Sequence, residues 1–292
     1  MTRASLIPAA GAALVNATVW GVSWYPLQWL LAHGVPPLWT TLFVFTACSL
    51  LVLLARPGAL RRTLAAPELL WVCLASGLTN VCFNMALATG DVVRSVLLFY
   101  LMPMWVVLLA RWLLQEAITG MAILRLMLAL AGAVLVLGQG TSFMPVPESL
   151  ADWLAVVAGF FFGLNNVLLR RFAALPDDAR GLAMFSGAVF CAPLAILAMA
   201  TWGHAAPLHA QASAAIGLLL FTLAVLVGNL ALQYAASHLR ANVLSVLMLA
   251  EILVASVSSW LAGAASISAI TLLGGALIVG ASLLAITGRA PH

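Results

Sequence analysis

Apolar runs about as long as a bilayer is thick recur along the whole chain, separated by short polar breaks. A helix crossing the hydrocarbon core needs about 20 such residues. Ten runs qualify: 7–31, 38–55, 69–89, 92–114, 118–139, 150–169, 182–202, 213–235, 242–262 and 267–287. Their connections are short and often marked by Pro or Gly, as in Gly34-Val35-Pro36-Pro37 and Pro57-Gly58. None is long enough to hold a soluble domain. The first run is too long for a signal-peptide core and is followed by further spans. The pattern predicts an all-α membrane protein with ten transmembrane helices.

The few polar residues inside these runs are not randomly placed. Asn80 and Asn84 are four apart, as are Asn229 and Gln233, so each pair shares one helix face. The second pair follows the first at a shift of 149 residues, Trp260 follows Trp112 at 148, and Arg240 follows Arg94 at 146. Trp20-Gly21-Val22-Ser23-Trp24 has a looser echo in Phe162-Gly163-Leu164-Asn165-Asn166. These shifts read as an internal duplication, with halves at 1–144 and 145–292. Five crossings per half is an odd number, so the second half starts on the opposite face. The expected architecture is two inverted five-helix repeats around a central cavity, an arrangement that places substrate sites near the midplane.

Composition agrees and narrows the chemistry. The chain is 65% hydrophobic and 7% charged, with mean hydropathy +1.15, whereas soluble domains carry about 25% charged residues. It has 12 Arg and no Lys, which excludes a P-loop lysine and a pyridoxal or retinal Schiff base within this chain. Cys48, Cys73, Cys82 and Cys191 lie in apolar runs without metal-ligand spacing and read as small core residues. No cofactor is expected. Eleven arginines (Arg3, Arg56, Arg61, Arg62, Arg111, Arg125, Arg170, Arg171, Arg180, Arg240 and Arg289) fall on the side of the termini, and Arg94 alone falls on the other. The positive-inside rule then makes both termini cytoplasmic. The net charge of +4 reflects this orientation rather than a nucleic-acid partner.

Glu251 is the carboxylate farthest from any helix end. A charge at that depth costs roughly 2.5–3.5 kcal/mol on insertion scales. Its functional reading is a proton-coupling group or a partner for a substrate ammonium; its structural reading is a carboxyl bonded to a neighbouring helix. Asn80, Asn84, Asn229 and Gln233 either line the cavity or join helices. Of the adjacent Asn165 and Asn166, at most one can face the cavity squarely. Gly159 and Gly163 read as close helix packing. Pro103 predicts a kink or gating hinge, with the freed Phe99 carbonyl satisfied inside protein. Trp20, Trp24, Phe83, Phe99, Tyr100, Trp105 and Tyr234 are candidate wall residues that would suit a flat apolar group. Asp91 and Arg94 are spaced for an ion pair. His204 and His209 lie in a loop without metal-site spacing. GxSxG, HExxH and phosphate-loop motifs are absent.

The Trp20-Gly21 pair, the Phe162-Gly163 echo, the Ala86-Leu87 and Ala231-Leu232 steps and Glu116 closing the first hairpin resemble the drug/metabolite transporter superfamily, EamA-type branch. Within it the chain is most similar to YddG-type exporters of aromatic amino acids. The second half departs from the pattern at Ala264, where a Glu is common, and at Ile252, where a Pro is common. The resemblance implies a basket in which helices 1, 3, 4, 6, 8 and 9 surround the cavity and 5 and 10 stand outside. It also implies export of amino acids, aromatic ones first, across a bacterial inner membrane, with no obligate protein partner. An exporter of drugs or other metabolites, and outside that class a membrane-embedded enzyme or a passive pore, are the alternatives.

Overall fold

A computed structural model describes residues 3–90, 92–138, 147–203, 206–264 and 268–287. Among the described residues, fourteen helices follow one another. The first span is α1 (Arg3–Val22) with α2 (Trp24–Ala32), and the second is α3 (Pro37–Ala55). After the short α4 (Ala59–Leu64) come α5 (Leu69–Thr89), the pair α6 (Val92–Phe99) and α7 (Met102–Leu113), and α8 (Gly120–Leu137). The remaining spans are α9 (Leu150–Arg171), α10 (Asp177–Thr201), α11 (Ala214–His238), the pair α12 (Ala241–Met248) and α13 (Ala250–Leu261), and α14 (Ala269–Thr287). Together they make ten spans of mean hydropathy 1.4 to 2.4, with no strand among the described residues. The chain is a multi-pass membrane protein. The boundary between its proposed halves, together with Asp91, His204 and Arg289, lies outside the described residues.

The helix starts follow local rules. Pro37 occupies the first turn of α3, where a missing N–H costs nothing. Ser149 and Asp152 form a reciprocal capping box at α9. Thr119 caps α8 by accepting from the Ala122 amide at 3.2 Å. The seventh span starts earlier than its apolar run: Asp177-Asp178-Ala179-Arg180 is already helical. Acidic residues in a first turn meet the positive end of the helix dipole.

Three spans expected to be continuous are broken. The first turns at Ser23, the fourth at Tyr100–Leu101 and the ninth at Leu249. In the fourth span, Leu101 N–H donates to Leu98 O at 3.2 Å and Met104 N–H to Leu101 O at 3.0 Å. In the ninth, Leu249 N–H donates to Val246 O at 3.2 Å and Ile252 N–H to Leu249 O at 3.1 Å. Both breaks are therefore tight three-residue turns, and every atom of one has its match 148 positions later in the other. Pro103 sits at the second position of α7, and Glu251 holds that same position in α13. Only the first of these breaks carries a proline.

Glycines set the closest approaches. A Cβ on Gly159 would lie 2.6 Å from the Phe99 carbonyl oxygen, so the carbonyl that Pro103 frees lies against a bare Cα of α9. Gly163 meets Val106. A Cβ on Gly21 would lie 2.8 Å from the Glu251 carbonyl and 2.7 Å from Val254 Cβ. α5 and α10 meet backbone to backbone at Gly77 and Gly187. α8 and α14 meet where a Cβ on Gly132 would lie 2.6 Å from Gly274 O, and one on Gly274 would lie 2.7 Å from Gly132 O. At the face opposite the termini, the 206–211 segment bonds to the first loop through His209 N–H to Gly34 O and Gln211 N–H to His33 O, at 3.0 and 3.1 Å. Gly34 has φ +80° there, a conformation suited to glycine. Large apolar side chains such as Leu54, Trp112 and Leu261 are more than 70% exposed, as lipid-facing positions should be.

Candidate functional site

Four of the polar residues met inside the apolar runs, Asn80, Asn165, Asn229 and Glu251, converge on one cavity of about 280 Å³. The first span supplies Trp20, Gly21, Ser23, Trp24 and Leu27; α5 supplies Ser76, Thr79, Asn80, Phe83 and Leu87. α6 and the turn after it bring Val96, Phe99 and Tyr100, and α9 brings Phe162 and Asn165. Met184 comes from α10, Asn229 and Leu232 from α11, and Glu251 and Ala255 from α13. α8 and α14 contribute nothing to the wall. Followed along each helix, the wall residues of the first span and of α5, α6 and α13 lie mostly from mid-depth toward the face opposite the termini. Met184, Asn229 and Leu232 lie on the termini side and form the floor.

The wall is mainly aromatic. Phe99 is at its centre, with ring centroids 4.6 Å from Phe83, 5.5 Å from Phe162 and 5.6 Å from Tyr100. Trp20 and Trp24, one helix turn apart, face in from the first span. The break at Ser23 lies between them, where the Ser23 hydroxyl donates to Trp20 O at 2.6 Å. The Trp24 indole N–H donates to Ser258 Oγ at 2.9 Å, which fixes that ring to α13. Close packing of Gly21 on the Glu251 backbone brings both tryptophans beside the carboxylate. The Tyr100 hydroxyl interacts with the Glu251 carboxyl, which lies in the first turn of α13 at the positive end of that helix.

Two polar networks stand at opposite ends. On the termini side Arg180, fully buried, pairs with Asp177, donates to Ser237 Oγ at 2.7 Å and to Leu169 O at 3.2 Å, and so joins α9, α10 and α11. Arg170 also donates to Ser237 O. α12 is buried along nearly its whole length at this end, with Leu244, Leu247 and Met248 fully enclosed. At the other end Arg94 pairs with Asp152 at 2.8 Å and Glu148 at 3.1 Å, linking α6 to α9.

The four stripe residues separate into two kinds. Asn80 and Asn229 line the cavity. Asn84 instead donates to Thr41 Oγ1 of α3 at 3.0 Å, and Gln233 donates to Asp177 O of α10 at 2.6 Å. Both of these lie outside the cavity wall and join neighbouring spans. Asn165 reaches the cavity; Asn166 is buried beside it with neither amide atom bonded. Trp20, Trp24, Phe83, Phe99, Tyr100 and Glu251 all reach the wall. Trp105 does not and packs on Phe160, while Tyr234 is 43% exposed beside His238. Pro103 is buried behind the wall. The expected Asp91–Arg94 pair falls outside the described residues; among those described, Arg94 pairs with Asp152 and Glu148. Arg180, read from the sequence as a loop arginine, is the main polar residue that reading missed. Two acidic residues just before it were the available signal for an earlier helix start.

No curated protein matches the sequence. A solved structure described as "Crystal structure of protein" superposes with a TM-score of 0.78 at 21% identity, over 96% of each chain, a likeness of fold. The model of the EamA-like transporter family matches residues 7–138. The match spans the first five crossings, which are similar there to EamA-like transporters.

Proposed function

We propose that this protein is a secondary transporter that exports amino acids, aromatic ones first, across a bacterial inner membrane, with both termini cytoplasmic. The observation that carries this reading is the mid-depth cavity of aromatic rings, three asparagines and one carboxylate, built from both sets of five spans. Its mixture of apolar wall and few polar groups suits a small flat substrate. The two sets of five are read as inverted copies. The matched breaks at Leu98–Leu101–Met104 and Val246–Leu249–Ile252 support this, as do the reciprocal contacts of Gly163 with Val106 and Gly21 with Val254. Such copies move substrate by alternating access, one half rocking against the other around a midplane site.

In this reading Asn80, Asn165, Asn229 and Glu251 bind the polar head, and Trp20, Trp24, Phe83, Phe99 and Tyr100 hold the ring. Asn84, Gln233 and Pro103 shape the helices around them. Glu251 holds either a proton or a substrate ammonium, since a lone carboxylate at this depth needs a neutralising partner. Counterflow of labelled phenylalanine or tryptophan in liposomes tests the reading. Saturable exchange is expected. Linear, non-exchanging flux would indicate a pore, and chemical conversion of the label would indicate an enzyme.

A further inference from the structure

The cavity is asymmetric in its hydrogen-bonding chemistry. Among the described residues that line it, Glu251 is the one carboxylate, and none is an Arg or His. The cations at its two ends are engaged by acids of their own, Arg94 by Asp152 and Glu148, and Arg180 by Asp177. Two of the three amides are turned the same way. Asn80 and Asn229 each donate from their amide nitrogen to the carbonyl four residues back, Ser76 O and Val225 O, both at 2.9 Å. That leaves the oxygen of each to the cavity. Asn165 differs: its Oδ1 is enclosed without a partner and its amide nitrogen is the atom left to the cavity. The Thr79 hydroxyl donates to Ala75 O at 2.7 Å, and Ser23 and Trp24 have their donors committed as described.

What faces a ligand is thus a carboxylate, the amide oxygens of Asn80 and Asn229, aromatic rings, the Asn165 amide nitrogen and the Ser76 hydroxyl. The first three attract a cation. Ring faces draw an ammonium through their quadrupole, more strongly when it is desolvated. An ammonium also neutralises Glu251. A carboxylate brought to the same site would meet the charge of Glu251 and have no cation beside it, with two neutral donors alone to face it, and an unpaired buried charge is costly.

We infer that the cavity recognises an aromatic ring bearing an ammonium group, and that the carboxylate of an amino acid is not part of what it binds. Aromatic amines and amino-acid esters are then substrates in their own right. This rests on the transport reading above and narrows its substrate class.

The test is counterflow of labelled phenylalanine by the intact protein in liposomes, with three unlabelled competitors and a direct arm. Phenethyltrimethylammonium carries the ring and a permanent cation, and cannot cross the bilayer as a free base. Phenylalanine methyl ester keeps the ammonium and masks the carboxylate. Hydrocinnamate keeps the carboxylate and lacks the ammonium. The ester, with its three N–H donors, is expected to compete at least as well as phenylalanine; the quaternary cation, which neutralises Glu251 and sits on the rings but has no N–H to donate, is expected to compete within about three-fold of it, and hydrocinnamate at least ten-fold more weakly. Labelled phenethyltrimethylammonium is expected to show counterflow itself. Glu251→Gln is expected to weaken its binding ten-fold or more, with partial recovery in Glu251→Asp. The wild-type competitor series decides the matter if the variants fail to fold. Phenylalanine exchange that hydrocinnamate inhibits as well as the ammonium does would overturn the inference and leave the transport reading standing. Exchange of the ammonium without exchange of phenylalanine would uphold the inference and remove amino acids from the substrate list. Exchange of neither would overturn the transport reading and this inference with it.

Discussion

α6 and α12 are the same device in two states. Each is eight residues long, ends in a tight turn and continues into a twelve-residue helix, α7 or α13. α6 forms cavity wall through Val96 and Phe99, while α12 is packed on nearly every side, with Leu244, Leu247 and Met248 enclosed. The difference does not come from the break itself, which has matching hydrogen bonds in both. It comes from what surrounds each segment. α12 is wedged among α1, α7 and α14, while α6 lies mainly on α9. Burial of α12 thus follows from its packing partners in this structure.

Four experiments bear on that contrast. The largest effect is expected in thiol labelling. In a background with the four native cysteines replaced by alanine, Val96→Cys should react with an impermeant maleimide at least ten-fold faster than Leu247→Cys. Equal rates would show that the two segments are not differently enclosed. The networks should differ next. Arg94→Ala leaves the carboxylate of Asp152, 3% exposed, without its guanidinium, at a cost of about 3 kcal/mol, with the Glu148 and Ser149 amides still bonded to it at 2.9 and 3.2 Å. Arg180→Ala removes a buried cation whose acid, Asp177, is 86% exposed, and should cost about 1–2 kcal/mol through the lost bonds to Ser237 Oγ and Leu169 O. Thermal melts in detergent would compare them, and the opposite order would make the Arg180 network the costlier one to break. Asn84→Ala and Gln233→Ala should each lower stability by about 0.6 kcal/mol without changing substrate affinity. A several-fold rise in half-saturation would put them back among the binding residues. The smallest effect belongs to Pro103→Ala. The ninth span makes the same turn without proline, so transport should change less than about two-fold, within the ~1 kcal/mol range of an ordinary substitution. Abolished counterflow would show that the proline, and not its surroundings, maintains the fourth-span break.

The contrast also marks how far the sequence could be read. Ten apolar runs predicted ten spans, because lipid imposes length and hydropathy on every crossing. The paired polar stripes pointed to the helices around the cavity. Which member of each stripe faces inward could not be read: Asn80 and Asn84 share a helix face, and the choice between them was made by Thr41 on another span. The break at Leu249 left no local mark, since no proline or glycine sits there; Gly21 of the first span packs on the Glu251 carbonyl and Val254, just after it. Arg180 counted correctly as a charge near the termini side, but its burial depends on carbonyls from two other helices.

Gly132 and Gly274 add a constraint of a different kind. Each packs on the other's carbonyl, on the two helices outside the cavity. A methyl group on either one meets backbone, which no repacking of side chains can move aside. A larger residue at either position therefore pushes the two helix backbones apart, whatever stands at the other, and the spacing open to the rest of α8 and α14 is bounded by that contact.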